Sequence, residues 1–116
     1  MANYYDMDGN QITLEEWSKI FESNDRFLAF DVLDNSPYEG RSIRLSTVWT
    51  GLAWGFEGDT APQIFETMAF FEDSHPGVDL GCWRWSTQEM ALEGHREILE
   101  RIRDGLERLY MPIDDL

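Results

Sequence analysis

Apolar residues recur along this chain with two different periods, one typical of helices and one typical of strands. Near the N-terminus they repeat every three or four residues, which predicts an amphipathic helix that carries Leu14, Trp17, Ile20 and Phe21. Thr13 and Glu16 have the spacing of a capping box, so we expect this helix to begin at Thr13. The apolar stripe stops at Phe21, and the helix is expected to end near Ser23.

A second helical stripe runs through the C-terminal part of the chain and predicts its longest helix. The sequence Ser86-Thr87-Gln88-Glu89 has the pattern of another capping box and marks the expected start. Met111 and Pro112 are expected to end the helix, because proline cannot continue it. The apolar stripe contains Ala91, His95, Ile98, Ile102, Leu106 and Leu109.

Four segments between the helices have the apolar or alternating pattern of strands: 27–33, 41–50, 63–72 and 78–85. The dipeptide Asp8-Gly9 predicts a short hairpin or a turn within residues 3–12, whereas residues 51–62 have the pattern of a loop. Together these elements predict an α+β fold. We expect an antiparallel sheet of about four strands, packed by a long C-terminal helix and a short N-terminal helix, in one domain over residues 1–116.

The balance of charge narrows the classes of function. The net charge is −14, with 23 acidic and 9 basic residues, which disfavours direct binding to nucleic acid. The single cysteine, Cys82, cannot form an internal disulfide and is expected to be a core residue. No signal peptide or membrane-spanning segment is evident, so a cytoplasmic location is expected. No ligand pattern for a metal or a cofactor is complete, and neither is expected.

Three segments carry a resemblance to other proteins: STVWTGLAWGF at 46–56, IFETMAFF at 64–71, and WRWSTQEMALEGHREILERIR from Trp83. There the chain resembles a group of small uncharacterised proteins of actinobacteria, other GC-rich bacteria and their phages. Their motifs are STVW-x-GL, IFETM-x-F and a helix start with ST and GH. Residues 24–42 and 72–82 lie outside the resemblance. It implies a phage or mobile-element setting, with the host cytoplasm as the location, and no catalytic residues.

The aromatic residues raise the question of what covers the second face of the sheet. Loops are usually polar, yet Trp54 and Phe56 lie in the predicted loop. On the third predicted strand, Phe65 and Phe71 oppose Met68 and Phe70, so both faces of that strand are apolar. Helices on both faces, a loop folded over the second face, or an oligomer interface would each account for this pattern.

The leading hypothesis from the sequence is a non-enzymatic acidic protein that binds a host defence or nucleic-acid-processing protein and could act as its inhibitor. Its carboxylates would imitate DNA phosphates in a basic channel of the partner. Trp54 and Phe56 would be apolar anchors of that interface. The acidic contacts would come from Glu57, Asp59, Glu66, Glu72, Asp73 and Asp79.

Two alternatives remain open at this level. His95 lies on the apolar stripe of the last helix, where the simplest expectation is a buried histidine bonded to the sheet. A ligand-binding or enzymatic domain would instead use it in a pocket, with His95 as a general base facing Glu66 or Thr67. The lining of that pocket would be His95, Glu66, Thr67 and Trp85. The other alternative is a homodimer that buries the second sheet face.

Overall fold

The computed structural model describes residues 2–54, 61–73 and 80–105, and it confirms the α+β fold. Within these residues, seven strands form two antiparallel sheets, and two α-helices accompany them. The helices are α1 (Leu14–Glu22) and α2 (Gln88–Asp104), and a short 3-10 helix occupies Asn24–Arg26. The strands are β1 (Ala2–Tyr5), β2 (Gln11–Ile12), β3 (Phe27–Leu33), β4 (Ile43–Trp49), β5 (Leu52–Trp54), β6 (Phe65–Phe71) and β7 (Gly81–Trp85).

The four predicted strands form the larger sheet, in the order β3-β4-β6-β7 with antiparallel neighbours throughout. Side chains alternate between its two faces along each strand, and residues that pair across neighbouring strands lie on the same face. The inner face carries, among others, the pairs Leu45↔Ala69 and Thr47↔Thr67, and the outer face carries Arg44↔Phe70 and Ser46↔Met68. Positions in β4 alternate strictly between buried and half-buried, as the alternating pattern of the sequence predicted for this strand.

Both helices pack on the inner face of the larger sheet. Ile98 and Ile102 of α2 join Leu45 and Ala69 in one buried cluster. A second cluster contains Trp49, Ile64, Phe65 and Ala91, and the half-buried Trp17 and Ile20 of α1 pack against it. Helices on both faces, the first of the three arrangements considered for the sheet, are therefore not found among the described elements.

The smaller sheet, in the order β2-β1-β5, corrects the prediction that residues 51–62 are loop. Leu52–Trp54 pairs with β1, and the amide of Tyr5 donates to the carbonyl of Gly51 at 2.9 Å. The predicted hairpin at Asp8-Gly9 is confirmed, since Tyr4 pairs with Ile12. Strand β1 pairs with β2 along one edge and with β5 along its other edge. A strand of three residues is too short to show a periodic pattern in the sequence, so this pairing could not be predicted.

The helix termini agree with the sequence in part. The capping box of α1 is present, with the Thr13 hydroxyl accepting from the Glu16 amide at 3.2 Å. In α2 the N-cap is Thr87, whose hydroxyl accepts from the Met90 amide at 3.1 Å. Methionine at this third position cannot return the bond, so the second predicted capping box was wrong.

The end of α2 comes earlier than predicted. Gly105 adopts a left-handed conformation with φ of 69°, and its amide caps the last turn by donating to the carbonyls of Arg101 and Ile102. The helix therefore ends at Asp104 and does not continue to Met111. The predicted stripe residues Leu106 and Leu109 lie outside the described residues, as do Met111 and Pro112.

Cys82 is exposed, so the expectation of a core cysteine was wrong. In β7 the register turns Gly81, Trp83 and Trp85 to the inner face, where the two indoles pack against the buried clusters. Alternation then directs Cys82 to the outer face.

Candidate functional site

Five polar side chains form a continuous hydrogen-bonded chain across the inner face, and we call them the polar chain. Trp85 Nε1 donates to Thr67 Oγ1 at 2.9 Å, and Thr67 Oγ1 lies 2.6 Å from Thr47 Oγ1. Thr47 Oγ1 lies 2.7 Å from His95 Nδ1, and His95 Nε2 lies 2.7 Å from Asp31 Oδ2. The polar chain thus joins helix α2 to strands β3, β4, β6 and β7.

The groups at the two ends of the polar chain limit the directions of its hydrogen bonds. An indole N–H can only donate, so Thr67 accepts from Trp85 and its own hydroxyl can donate to Thr47. At the other end an ionised Asp31 carboxylate can only accept, so His95 Nε2 carries a proton, and Nδ1 accepts from the Thr47 hydroxyl when the ring is neutral.

Burial determines what the polar chain can do chemically. Thr47 and Thr67 are 0% exposed and His95 is 4% exposed, whereas the Asp31 side chain is 46% exposed. An Asp–His–Thr series is also the order of groups in a nucleophilic triad. Here, however, the hydroxyl lies inside the core, and of the three groups only the Asp31 carboxylate reaches solvent. The arrangement fits a structural network that positions α2 on the sheet.

The polar chain contains three of the four residues predicted for a pocket. His95, Thr67 and Trp85 are brought together, and the expected buried histidine with a partner on the sheet is confirmed by its bond to Thr47. Glu66 is not brought to them. It alternates with Thr67 on β6, faces outward, and lies 3.4 Å from the guanidinium of Arg84.

Asp31 is the member that sequence reasoning missed. It lies in β3, an otherwise apolar strand, and outside the segments that carry the resemblance. The signal available in the sequence was a single carboxylate among six apolar residues, which an edge strand tolerates when the charge points inward. Its partner His95 is 64 positions away along the chain, so no local spacing links the two.

The outer face of the larger sheet differs from the inner face because it exposes large apolar side chains. Three of the seven exposed large hydrophobic residues found among the described residues belong to β3 alone: Phe27 at 52%, Phe30 at 56% and Val32 at 43%. Their cross-strand neighbours on β4, β6 and β7 continue this surface across the sheet. We define the outer face as Phe27, Phe30, Val32, Arg44, Ser46, Val48, Glu66, Met68, Phe70, Cys82 and Arg84.

The charges on the outer face compensate one another. Arg44 lies 2.6 Å from Glu72, and its guanidinium stands 5.1 Å from the ring of Phe30 and 5.7 Å from that of Phe70. Two arginines and one glutamate belong to the outer face, and Glu72 brings their sum to zero. The chain as a whole carries −14. The outer face is therefore apolar and neutral on a strongly acidic protein.

The carboxylates predicted to contact a partner are paired wherever the structure describes them. Glu66 pairs with Arg84, Glu72 with Arg44, and Asp73 with Arg41 at 2.8 Å. Paired carboxylates present less negative potential than a DNA-like surface needs. The other predicted contacts, Phe56, Glu57, Asp59 and Asp79, lie outside the described residues, as does the side chain of Trp54.

Removing the Arg41 guanidinium should raise the pKa of Asp73. The hydrogen bond from Arg41 holds the pKa of this carboxyl below its usual value. The ion pair therefore contributes at neutral pH and is lost only as the pH falls through this lowered pKa. NMR titration of the Arg41→Gln variant should give a higher Asp73 pKa than the wild type, and Arg44→Gln is the matched control. An unchanged pKa in Arg41→Gln would contradict the assignment.

Comparison with family models, with curated proteins and with solved structures finds no match to this chain. Of the helices in the described part, neither α1 nor α2 has both the length and the apolar character needed to cross a membrane.

Proposed function

We propose that this protein is a non-enzymatic interaction protein whose binding surface is the outer face of the four-stranded sheet. The observation that carries the proposal is the exposure of Phe27, Phe30 and Val32 side by side on a neutral surface. A contiguous exposed apolar patch marks an interaction site more often than it occurs without a role. Aromatic and arginine side chains are also enriched among the residues that dominate binding energy.

The surface has the composition of a binding site rather than of a solvated sheet. Arg44 is held in one orientation by Glu72 and stands near two rings, so little side-chain entropy remains to be lost on binding. Arg26 lies similarly over Phe21 and Phe27, at 4.5 and 4.1 Å, which extends the apolar surface past the end of β3. A partner with an apolar, weakly charged surface fits this face best.

The other functions considered from the sequence receive less support. The described carboxylates Glu66, Glu72 and Asp73 are each paired with arginine, which weakens the case for a DNA-like surface made of these residues. A buried Thr47 and Thr67 offer no nucleophile to a substrate, which weakens the case for an enzyme. Binding to a host protein in a phage or mobile-element setting stays part of the proposal, with the outer face as its contact surface.

Capture experiments with matched variants test the proposal. Wild-type protein, Phe30→Asp and Leu92→Asp are immobilised and exposed to lysate of the cells that produce the protein, and bound proteins are identified by mass spectrometry. Leu92 is an exposed apolar residue of α2, 42% exposed, and so controls for the loss of apolar surface. We expect proteins retained by wild type and Leu92→Asp to be lost from Phe30→Asp. Equal retention by all three would show that the outer face is not the binding surface.

A further inference from the structure

We infer that the polar chain is a proton-sensitive element, in which uptake of one proton by His95 rearranges the hydrogen bonds as far as Trp85. This inference concerns the inner face and goes beyond the proposed function of the outer face. It is carried by three observations: the number of hydrogens available to the polar chain, the burial of its two threonines, and the contact between Trp85 and α2.

The polar chain has as many hydrogens as bonds between Trp85 and His95 when the imidazole is neutral. Three bonds link Trp85 to Thr67, Thr67 to Thr47, and Thr47 to Nδ1 of His95. Three hydrogens supply them, one from the indole N–H and one from each hydroxyl. Each bond therefore receives one hydrogen, and both hydroxyls donate in the direction of His95.

A second ring proton upsets this balance. An imidazolium donates from both nitrogens, so Nδ1 becomes a donor and Thr47 has to accept from it. Four hydrogens then compete for three bonds. The hydroxyls of Thr47 and Thr67 have no further hydrogen-bond partner within the described residues, and both side chains are 0% exposed. One buried hydroxyl hydrogen is therefore left without an acceptor when His95 is charged.

Electrostatics determines which hydroxyl carries the excess hydrogen. A positive ring favours hydroxyl dipoles whose oxygens point toward it, and dipoles along a hydrogen-bonded series polarise one another. Thr47 then donates to Thr67 instead of accepting from it, and the hydroxyl hydrogen of Thr67 turns away. Thr67 Oγ1 has to accept from Thr47 and Trp85 together. The proton on His95 thus changes the hydrogen bond of the indole.

The two sides of the His95 ring favour opposite protonation states. Among the described residues, the strands packed against α2 turn one charged group toward it, the Asp31 carboxylate at 2.7 Å from Nε2. The other three strands present uncharged members of the polar chain, and their charged residues lie on the outer face. On α2 the buried Arg101 lies six residues further along. The α2 residues three and four positions from His95 are uncharged: Ala91, Leu92, Ile98 and Leu99. The carboxylate favours a charged ring, whereas the two hydroxyl donors favour a neutral one.

Trp85 connects the far end of the polar chain back to α2. Its indole packs against Gly94, where a Cβ would meet the six-membered ring. Gly94 and His95 are consecutive in α2, so a shift of the indole acts on the same helical turn that holds the proton. The protonation state of His95 and the packing of α2 on the sheet are therefore coupled through Trp85.

NMR titration of the purified chain tests the inference. The ring nuclei of His95 and the indole N–H of Trp85 are followed over the range in which histidine titrates, about pH 5 to 8. We expect the Trp85 indole resonance to shift with the same midpoint as the His95 ring. Trp17, whose Nε1 donates to the carbonyl of Thr50 outside the polar chain, is the internal reference and should not follow His95.

Variants that interrupt the polar chain separate transmission through the hydroxyls from an effect through space. In Thr47→Val, His95 should still titrate but the Trp85 shift should be lost, whereas Thr47→Ser keeps the hydroxyl and should keep the shift. Thr67→Val interrupts the next member and gives the same test if Thr47→Val does not fold. His95→Gln should abolish the shift, because it removes the titrating ring.

Each outcome supports or overturns the inference. Loss of the Trp85 shift in a valine variant, with retention in Thr47→Ser, supports it. A Trp85 resonance that stays fixed while His95 titrates overturns it, and so does a His95 ring that takes up no proton over this range. A shift that persists in the valine variants or in His95→Gln overturns it as well, since its cause then lies outside the polar chain. Capture by the outer face is measured separately, so the proposed function does not depend on these results.

Discussion

Replacing Thr47 by valine is expected to lower the free energy of unfolding by about 3 kcal/mol, because two buried polar groups each lose a hydrogen bond at once. Valine matches threonine in shape but cannot form a hydrogen bond with His95 Nδ1 or with Thr67 Oγ1. Both partners are buried, so water cannot replace the lost bonds. Urea or thermal unfolding measures the change, and ¹⁵N chemical shifts of His95 report the altered ring.

The matched control is Thr47→Ser, which keeps the hydroxyl and removes one methyl group. We expect it to cost about 1 kcal/mol, the value of a buried methyl. Thr67→Val should cost less than Thr47→Val, since it removes the acceptor for the half-buried Trp85 but leaves Thr47 able to donate to His95. A Thr47→Val protein as stable as wild type would contradict a stabilising role for the polar chain.

Replacing Gly94 by alanine is expected to destabilise the protein by about 2 kcal/mol, although helix propensity alone predicts a gain of about 1 kcal/mol. Gly94 lies inside α2 and is buried against the indole of Trp85. A Cβ at this position would meet the six-membered ring of Trp85 and lie 2.9 Å from Cε2. Trp85 would have to move, which also strains its hydrogen bond to Thr67. Chemical denaturation measures the effect.

A double-mutant cycle with Trp85→Phe separates this steric effect from helix propensity. The smaller ring should relieve most of the contact, so Gly94→Ala should cost much less in the Trp85→Phe background. Glu93→Ala, at an exposed position of the same helix, should change stability little. An equal cost of Gly94→Ala in both backgrounds would exclude Trp85 as the cause.

The three segments singled out in the sequence meet in one place in the structure. Residues 46–56 supply Thr47 and Trp49, residues 64–71 supply Phe65 and Thr67, and the last helix supplies the pair Gly94-His95. Gly94 admits the indole of Trp85, and His95 continues the hydrogen bonds that begin at this indole. These residue types therefore have a common physical reason, which is the packing of α2 on the inner face.

Short-range pattern was sufficient to predict the elements. Alternation located β4, the spacing of Leu14, Trp17 and Ile20 located α1, and the Thr13 capping box located its start. These signals depend on neighbours within four residues, which is why they are readable in the sequence. Errors occurred where a competing local residue decided the outcome: Gly105 ended α2 before Met111, and Met90 at the third helical position prevented a second capping box.

The site depended on tertiary structure, because its members are distant in sequence. Strand register decided that Glu66 faces outward to Arg84 while Thr67 joins the polar chain, since one residue reverses the face of a strand. The packing of helix α2 then placed His95 beside Asp31, a residue that the apolar pattern of β3 had not singled out in the sequence. The sequence alone predicted an apolar second face on the sheet. Only the three-dimensional arrangement showed which apolar side chains of this face are exposed, and that its arginines offset the charges of Glu66 and Glu72.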